Sequence, residues 1–253
     1  MNRKKFIDIM AAGGASFLCR PLSTFAGPKN EPGPTPKKVG PLLPWGRLRF
    51  IADGPDDDDW NVHSEGDLTL IDEINAQTTV NLAPEWNVAD VAKLDQMSNF
   101  PFLFMHAELP PELSDKDKAN LREYLLRGGF LFAEDCVNGK HRTGGRTGYG
   151  DLFFLRMVDV LSHLVPGAKL EKLPNDHPVF HTVHHFKNGI PHMQGVRHGL
   201  HGLTLNGRVL ALLSPSDIHC GWANGDEWFG SGSQRTALQM GTNIYTYAMT
   251  QTE

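Results

Sequence analysis

The run Gly128-Gly129-Phe130-Leu131-Phe132-Ala133-Glu134-Asp135-Cys136-Val137-Asn138-Gly139 packs a helix end, a buried strand and a tight polar turn into twelve residues. An unbroken apolar run flanked by glycine is the pattern of a central strand in a parallel sheet, covered on both faces. In open α/β sheets the loops leaving the carboxyl ends of such strands carry the ligand site. Asp135 and Cys136 are therefore the first candidates for chemistry.

Strand and helix signals alternate on both sides of this run. Arg47 to Asp53 alternates into Gly54-Pro55 and is expected as the first strand. Leu68, Ile71 and Ile74 recur at helical spacing between Asp67 and Gln77. Thr79 to Leu82 is expected as a short strand, Val88, Val91 and Leu94 as a short helix, and Phe102 to His106 as a buried strand. Ser114-x-x-Asp117 opens a helix that Gly128 stops, and Asp151 to Leu164 carries another. Leu203 to Leu213 is two apolar runs around Asn206-Gly207, a hairpin signal, and its second arm enters a polar loop from Ser214 to Trp222. A helix from about Arg235 to Met249 closes the chain. This alternation calls for a parallel sheet with helices on both faces.

The amino terminus has a different character. Met1-Asn2-Arg3-Lys4-Lys5 is basic, Ile9 to Leu18 is weakly apolar, and Ser23-Thr24-Phe25-Ala26 offers small residues for cleavage, the three parts of an export signal. Arg3-Lys4-x-Phe6-Ile7 resembles a twin-arginine signal with lysine in the second basic position. The expected organisation is an export signal over 1–26, a Pro/Gly-rich linker over 27–45 and one α/β domain over 46–253, in the periplasm or otherwise exported. A net charge of -5 and a pI near 6.2 leave no basic footprint, which argues against nucleic acid as a partner. No run in the expected mature chain is long and apolar enough to span a bilayer core of roughly 30 Å. Export leaves Cys136 and Cys220, which can pair in an oxidising compartment.

The order of elements resembles the class I glutamine amidotransferase-like fold, a flavodoxin-like three-layer sandwich, here with a β-hairpin excursion in the C-terminal half. Gly128 to Phe132 and the polar turn after it are similar to the nucleophile-elbow strand of that superfamily. Asp176-His177-Pro178-Val179 is similar to the Asp-His-Pro segment of its trehalose-utilisation-like members. More closely, Arg47 to Phe50, Glu134 to Cys136, Asp176 to Pro178, Ser214 to Trp222 and Gly241 to Ile244 resemble, in order, the short motifs of a bacterial domain-of-unknown-function family. The resemblance implies a fold and no established activity, and it puts Asp135, not Cys136, where the glutaminase nucleophile sits.

Loops after Asp53, His106, Asp135 and Ser214 that leave one sheet edge bring together Asp53, Trp60, His106, Glu108, Asp135, Cys136, Asp217, His219 and Cys220. Cys136 activated by His219, or Asp135 acting as nucleophile or base, are the two catalytic readings. A Cys136–Cys220 disulfide is the structural alternative. Asp53, Trp60, His106, Glu108, Arg142, Asp217 and Trp222 form the expected ligand-binding set, with Arg142 on a glycine-rich basic loop. No motif calls for a cofactor. A divalent metal held by His106-x-Glu108, Asp135 and His219 is the open alternative, because histidine and carboxylate suit zinc. Seven of the twelve histidines fall between His177 and His201 without the spacing of a metal cage. Counted as a calcium loop from Asp57, the acidic run places Val62 and Leu68 where Gly and Glu are required. The functional expectation is an exported cell-envelope protein that binds a small polar ligand, a carbohydrate among them, or an envelope protein partner. The alternative is a hydrolase using Asp135, Cys136 and His219, with or without a metal.

Overall fold

The computed structural model describes residues 36–53, 59–137 and 151–251. The expected export signal, Arg142 with its glycine-rich loop, and Asp56 to Asp58 lie outside the described residues. The strands are β1 Leu43–Arg49, β2 Ile51–Ala52, β3 Leu82–Asp90, β4 Phe102–Ala107, β5 Pro111–Glu112, β6 Phe130–Asp135, β7 Lys169–Lys172, β8 His201–Leu205 and β9 Arg208–Ser214. The helices are α1 Glu65–Gln77, α2 Leu94–Met97, α3 Asp115–Leu126, α4 Leu152–Leu164, α5 Ile218–Phe229 and α6 Ser233–Thr250.

Seven strands form one sheet in the order β3-β1-β4-β6-β9-β8-β7, and β2 pairs with β5 apart from it. From β3 to β9 every pairing is parallel, while β8 and β7 are antiparallel. Counted along the chain, the five parallel strands lie in the order 2-1-3-4-5 of flavodoxin-like sheets. Asn206 and Gly207, both left-handed with φ of 50° and 82°, turn β8 into β9 as their sequence foretells.

Every residue of β4 and β6 is buried, which is why these strands read as unbroken apolar runs. Phe102, Phe104, Phe130 and Phe132 join Trp45, Leu212, Trp222 and Tyr245 in the core under α1, α5 and α6. Leu103, Met105, Leu131 and Ala133 face the other way, onto Leu121 of α3 and Phe153 and Met157 of α4. Ser114 caps α3 with a complete capping box through Asp117.

Four expectations are corrected. β1 opens at Leu43, inside the expected linker; Pro44 falls at a register shift between Leu43 and Trp45, where a missing N–H is tolerated. The strand expected at Thr79 to Leu82 runs instead from Leu82 to Asp90 as β3, so Val88 is in a strand and only Leu94–Met97 is helical, because this edge strand buries few side chains and so lacks clear alternation. Lys169–Lys172, read as no element, is the charged edge strand β7. The expected loop from Ser214 to Trp222 is a loop only from Pro215 to Asp217, and α5 begins at Ile218. Glycines and a kink at Asn224 hid this helix; a side chain at Gly221 would meet Ala237 Cβ at 2.5 Å, so the glycine is what lets α5 lie against α6.

Candidate metal centre

The sheet face under α1 and α5 changes from apolar to polar towards the carboxyl ends of the strands. Trp45 gives way to Arg47 on β1, Phe104 to His106 on β4, Phe132 to Glu134 on β6 and Leu212 to Ser214 on β9, and all four polar residues are fully buried. Register aligns His106, Glu134 and Ser214, since His106 pairs with Glu134 and Glu134 with Ser214, while Arg47 pairs with Phe104, one step back along the face. This row lies at the carboxyl ends of the parallel strands, where open sheets place ligands.

Arg47 is the hub of the row. Its Nη1 donates to Asp67 Oδ1 at 2.8 Å, its Nε to the Trp60 carbonyl at 3.0 Å and its Nη2 to the Val62 carbonyl at 2.7 Å. The two carbonyl contacts fix the segment that delivers His63. Asp67 also accepts from Trp45 Nε1 at 3.0 Å and pairs with His219 Nε2 at 2.9 Å. Burial, and then Arg47 and His63, hold His219 well below the usual histidine range. The neutral ring therefore places its proton on Nε2 towards Asp67 and leaves the Nδ1 lone pair free. Gly66 makes this approach possible, because a Cβ there would sit 3.1 Å from His219 Nε2.

The two carboxyls ending β6 point to opposite faces and each caps a helix. Glu134 Oε1 accepts from Ser214 Oγ at 2.7 Å and from the Ile218 N–H at 3.0 Å, and Oε2 accepts from the His219 N–H at 2.8 Å, which anchors α5. Asp135 Oδ2 accepts from the Phe154 N–H at 2.6 Å and anchors α4. Burial pushes the Asp135 carboxyl up to about 8, against the pull of that hydrogen bond.

Cys136 and Cys220 are both buried, unbonded, and 3.6 Å apart at sulfur. A disulfide needs about 2.05 Å, so these thiols are neighbours and not a bridge. The contact with Cys220, then burial and Asp217, push the Cys136 thiol well above its ordinary value. The contact with Cys136 pulls Cys220 down, but burial and Asp217 outweigh it and carry Cys220 up to about 12. His219 makes no hydrogen bond to Cys136.

Two donor sets meet at Cys136. The ligand atoms of His63, Cys136 and Cys220 lie within 4.8 Å of one another, and so do those of His106, Cys136 and Asp217. His63 and Asp217 are non-glycine residues in left-handed conformation, with φ of 51° and 55°. Such backbone persists only where the surroundings enforce it. Gln194 Nε2 and the Val137 N–H donate to Asp217 Oδ2, while its Oδ1 is buried without a well-aligned hydrogen bond and the Cys220 thiol and N–H stand beside the carboxyl. Both ring nitrogens of His106 and Nδ1 of His219 are likewise buried without a well-aligned hydrogen bond. The Val62 carbonyl accepts from Arg47 and also stands close enough to His106 to favour a proton on its ring. Burial, and then His219 and Arg47, keep His106 neutral, with its pKa well below the usual range.

The matching sequence profile, a domain of unknown function (DUF4159), runs over residues 47–249, from the Arg47 hub to the last turn of α6, and contains every candidate metal ligand named above. The chain belongs to the DUF4159 family. No curated protein matches it.

Within the DUF4159 domain the sequence-derived candidates divide. Cys136, His219, His106 and Asp217 converge, and Glu108 is half-buried close enough to Cys136 to raise its thiol. Asp135 stands on the opposite sheet face. Asp53 is exposed, with its N–H on the Pro110 carbonyl. Trp60 is buried in the 3-10 turn Asp59–Asn61, and Trp222 is fully buried with Nε1 on the Ala237 carbonyl, so neither offers a face for stacking. The histidines from His177 to His201 are not gathered at this site: His177 packs on Tyr247, His181 on His185, and His198 pairs with Asp151 at 2.6 Å. Sequence reasoning missed His63, Arg47 and Asp67 as site residues. A lone histidine behind an acidic run carries no motif, and the other two read as ordinary strand and helix starts.

Proposed function

We propose that this DUF4159 chain is an exported cell-envelope protein whose domain binds a zinc-class divalent cation through Cys136, Cys220 and His63. The observation that carries this reading is the sulfur separation of 3.6 Å. Two thiolates about 2.3 Å from a tetrahedral ion stand about 3.8 Å apart, so the pair already has nearly the required edge. His63 supports it: a ring nitrogen lies within 4.8 Å of both sulfurs, and the ring makes a loose carboxylate–histidine pair with the exposed Glu65, Nδ1 to Oε1 3.5 Å. The basic start, apolar middle and Ala26 of the amino terminus support export.

A thiol hydrolase has less support, because His219 spends Nε2 on Asp67, Asp135 serves α4, and both thiols are held protonated. The glutamine amidotransferase-like resemblance adds a scaffold to this reading and no reaction. The test is titration of reduced, chelator-stripped protein with Co(II). A sulfur-to-cobalt charge-transfer band that zinc abolishes, and that is lost in Cys136→Ser and Cys220→Ser, is expected. Absence of the band, with no zinc retained by the reduced protein, overturns the reading.

A further inference from the structure

We infer that the centre holds two cations, with the Cys136 thiolate bridging them. The inference rests on the metal reading above and starts from a surplus of donors. A zinc-class ion in a protein takes four ligands, whereas His63, His106, Cys136, Cys220 and Asp217 offer five. By distance they fall into two sets of three that share only Cys136.

The second set makes its own case. In the first set the two thiols contact each other and His63 is half-exposed against Trp228, with ring centroids 5.1 Å apart. In the second, both nitrogens of His106 and Oδ1 of Asp217 are fully buried without a well-aligned hydrogen bond, with only the Val62 carbonyl beside His106 and Cys220 beside the Asp217 carboxyl. Buried polar atoms without well-aligned partners cost free energy, and a bound group would satisfy them. His219, its ring 4.0 Å from that of His106, adds another unpartnered nitrogen beside them. Asp67 orients His219 as a second carboxylate–histidine pair.

Distance and charge agree with two ions. Two metals each about 2.3 Å from one sulfur reach the separation of about 3.5–4 Å found in two-metal sites. Cys136, Cys220 and Asp217 supply three negative charges on binding, and a solvent hydroxide completes the neutralisation. Arg47, which opposes positive charge at His106, is paired with Asp67 at 2.8 Å, and this pairing reduces its opposition to a second ion.

Native mass spectrometry of the reduced full-length protein equilibrated with zinc tests the inference. Two zinc ions per chain are expected, falling to one in His106→Phe, which preserves ring volume beside Phe104 and leaves the His63 set intact. Asp217→Asn, an amide that tolerates left-handed backbone, is the second variant should His106→Phe fail to fold, and it too should lower the count to one. One zinc ion in the parent protein overturns the bridged pair and leaves the single-ion reading standing. No zinc at all overturns both. Two ions in the parent and in whichever variant folds place the second ion elsewhere and also overturn the inference.

Discussion

Asp135 and Glu134 differ by one bond in the chain and by a whole sheet in environment. The polar end of the Gly128-Gly129 strand was legible as a site, but which carboxyl faces it depends on strand parity relative to α1 and α5, and a run buried on both faces carries no such mark. The consequence for Asp135 is measurable in protein kept free of metal by a chelator. Its carboxyl titrates near 8 when folded and near about 3.9 when unfolded. Between these values the unfolded chain has lost a proton that the native state keeps, so stability falls as pH rises, by at most about 1.4 kcal/mol per pH unit, and levels off above 8. Asp135→Asn has no proton to lose there. Urea unfolding at pH 5 and pH 8 should show a smaller loss of stability for the variant than for the parent; equal losses would refute the assignment. Cys136, Cys220, His106 and Asp217 were legible because thiols, imidazoles and carboxyls at strand ends are few. His63 was not, because its role depends on a left-handed turn and on carbonyls held by Arg47.

At the scale of elements, the sequence announced those with local signals and concealed those held by distant contacts. α3 has its capping box, α4 and α6 their apolar periodicity, and the β8–β9 hairpin its Asn-Gly turn. α5, which carries His219 and Cys220, has no side-chain cap of its own and begins at left-handed Asp217. Its amino end is held instead by Glu134, far away in sequence, and no local reading finds such a cap. Glu134→Gln exposes this dependence. All three groups facing the carboxyl are donors, so an amide must turn its NH2 towards at least one of them. A buried donor left unsatisfied costs about 1–3 kcal/mol. Urea unfolding of chelated protein should register that loss, and Co(II) affinity should fall with it because the thiol at Cys220 loses its fixed position. An unchanged urea midpoint would show that α5 does not rely on Glu134.

Across the whole molecule, the sheet order places the carboxyl ends of β1 and β4 side by side where the chain reverses direction of winding, and the donors arrive there from separate parts of the sequence. His63 precedes α1, Cys136 follows β6, and Asp217 and Cys220 flank the start of α5. The parallel sheet was legible from alternation; the meeting of these segments was not, because it follows from strand order and from helices closing over one face. A cation bound among them joins pieces that the unfolded chain keeps apart, so binding must appear as stability of the domain as a whole. For free zinc at about 100 times the dissociation constant the gain is about 2.7 kcal/mol. For a domain of this size that is a rise in melting temperature of roughly 5 to 10 °C. Scanning calorimetry of reduced protein with zinc and with chelator should show this shift, and Cys136→Ser should abolish it while retaining a cooperative transition. A shift of the same size in Cys136→Ser would locate the stabilising cation away from the thiols, and no shift in the parent would mean that the folded domain holds zinc no better than the unfolded chain does.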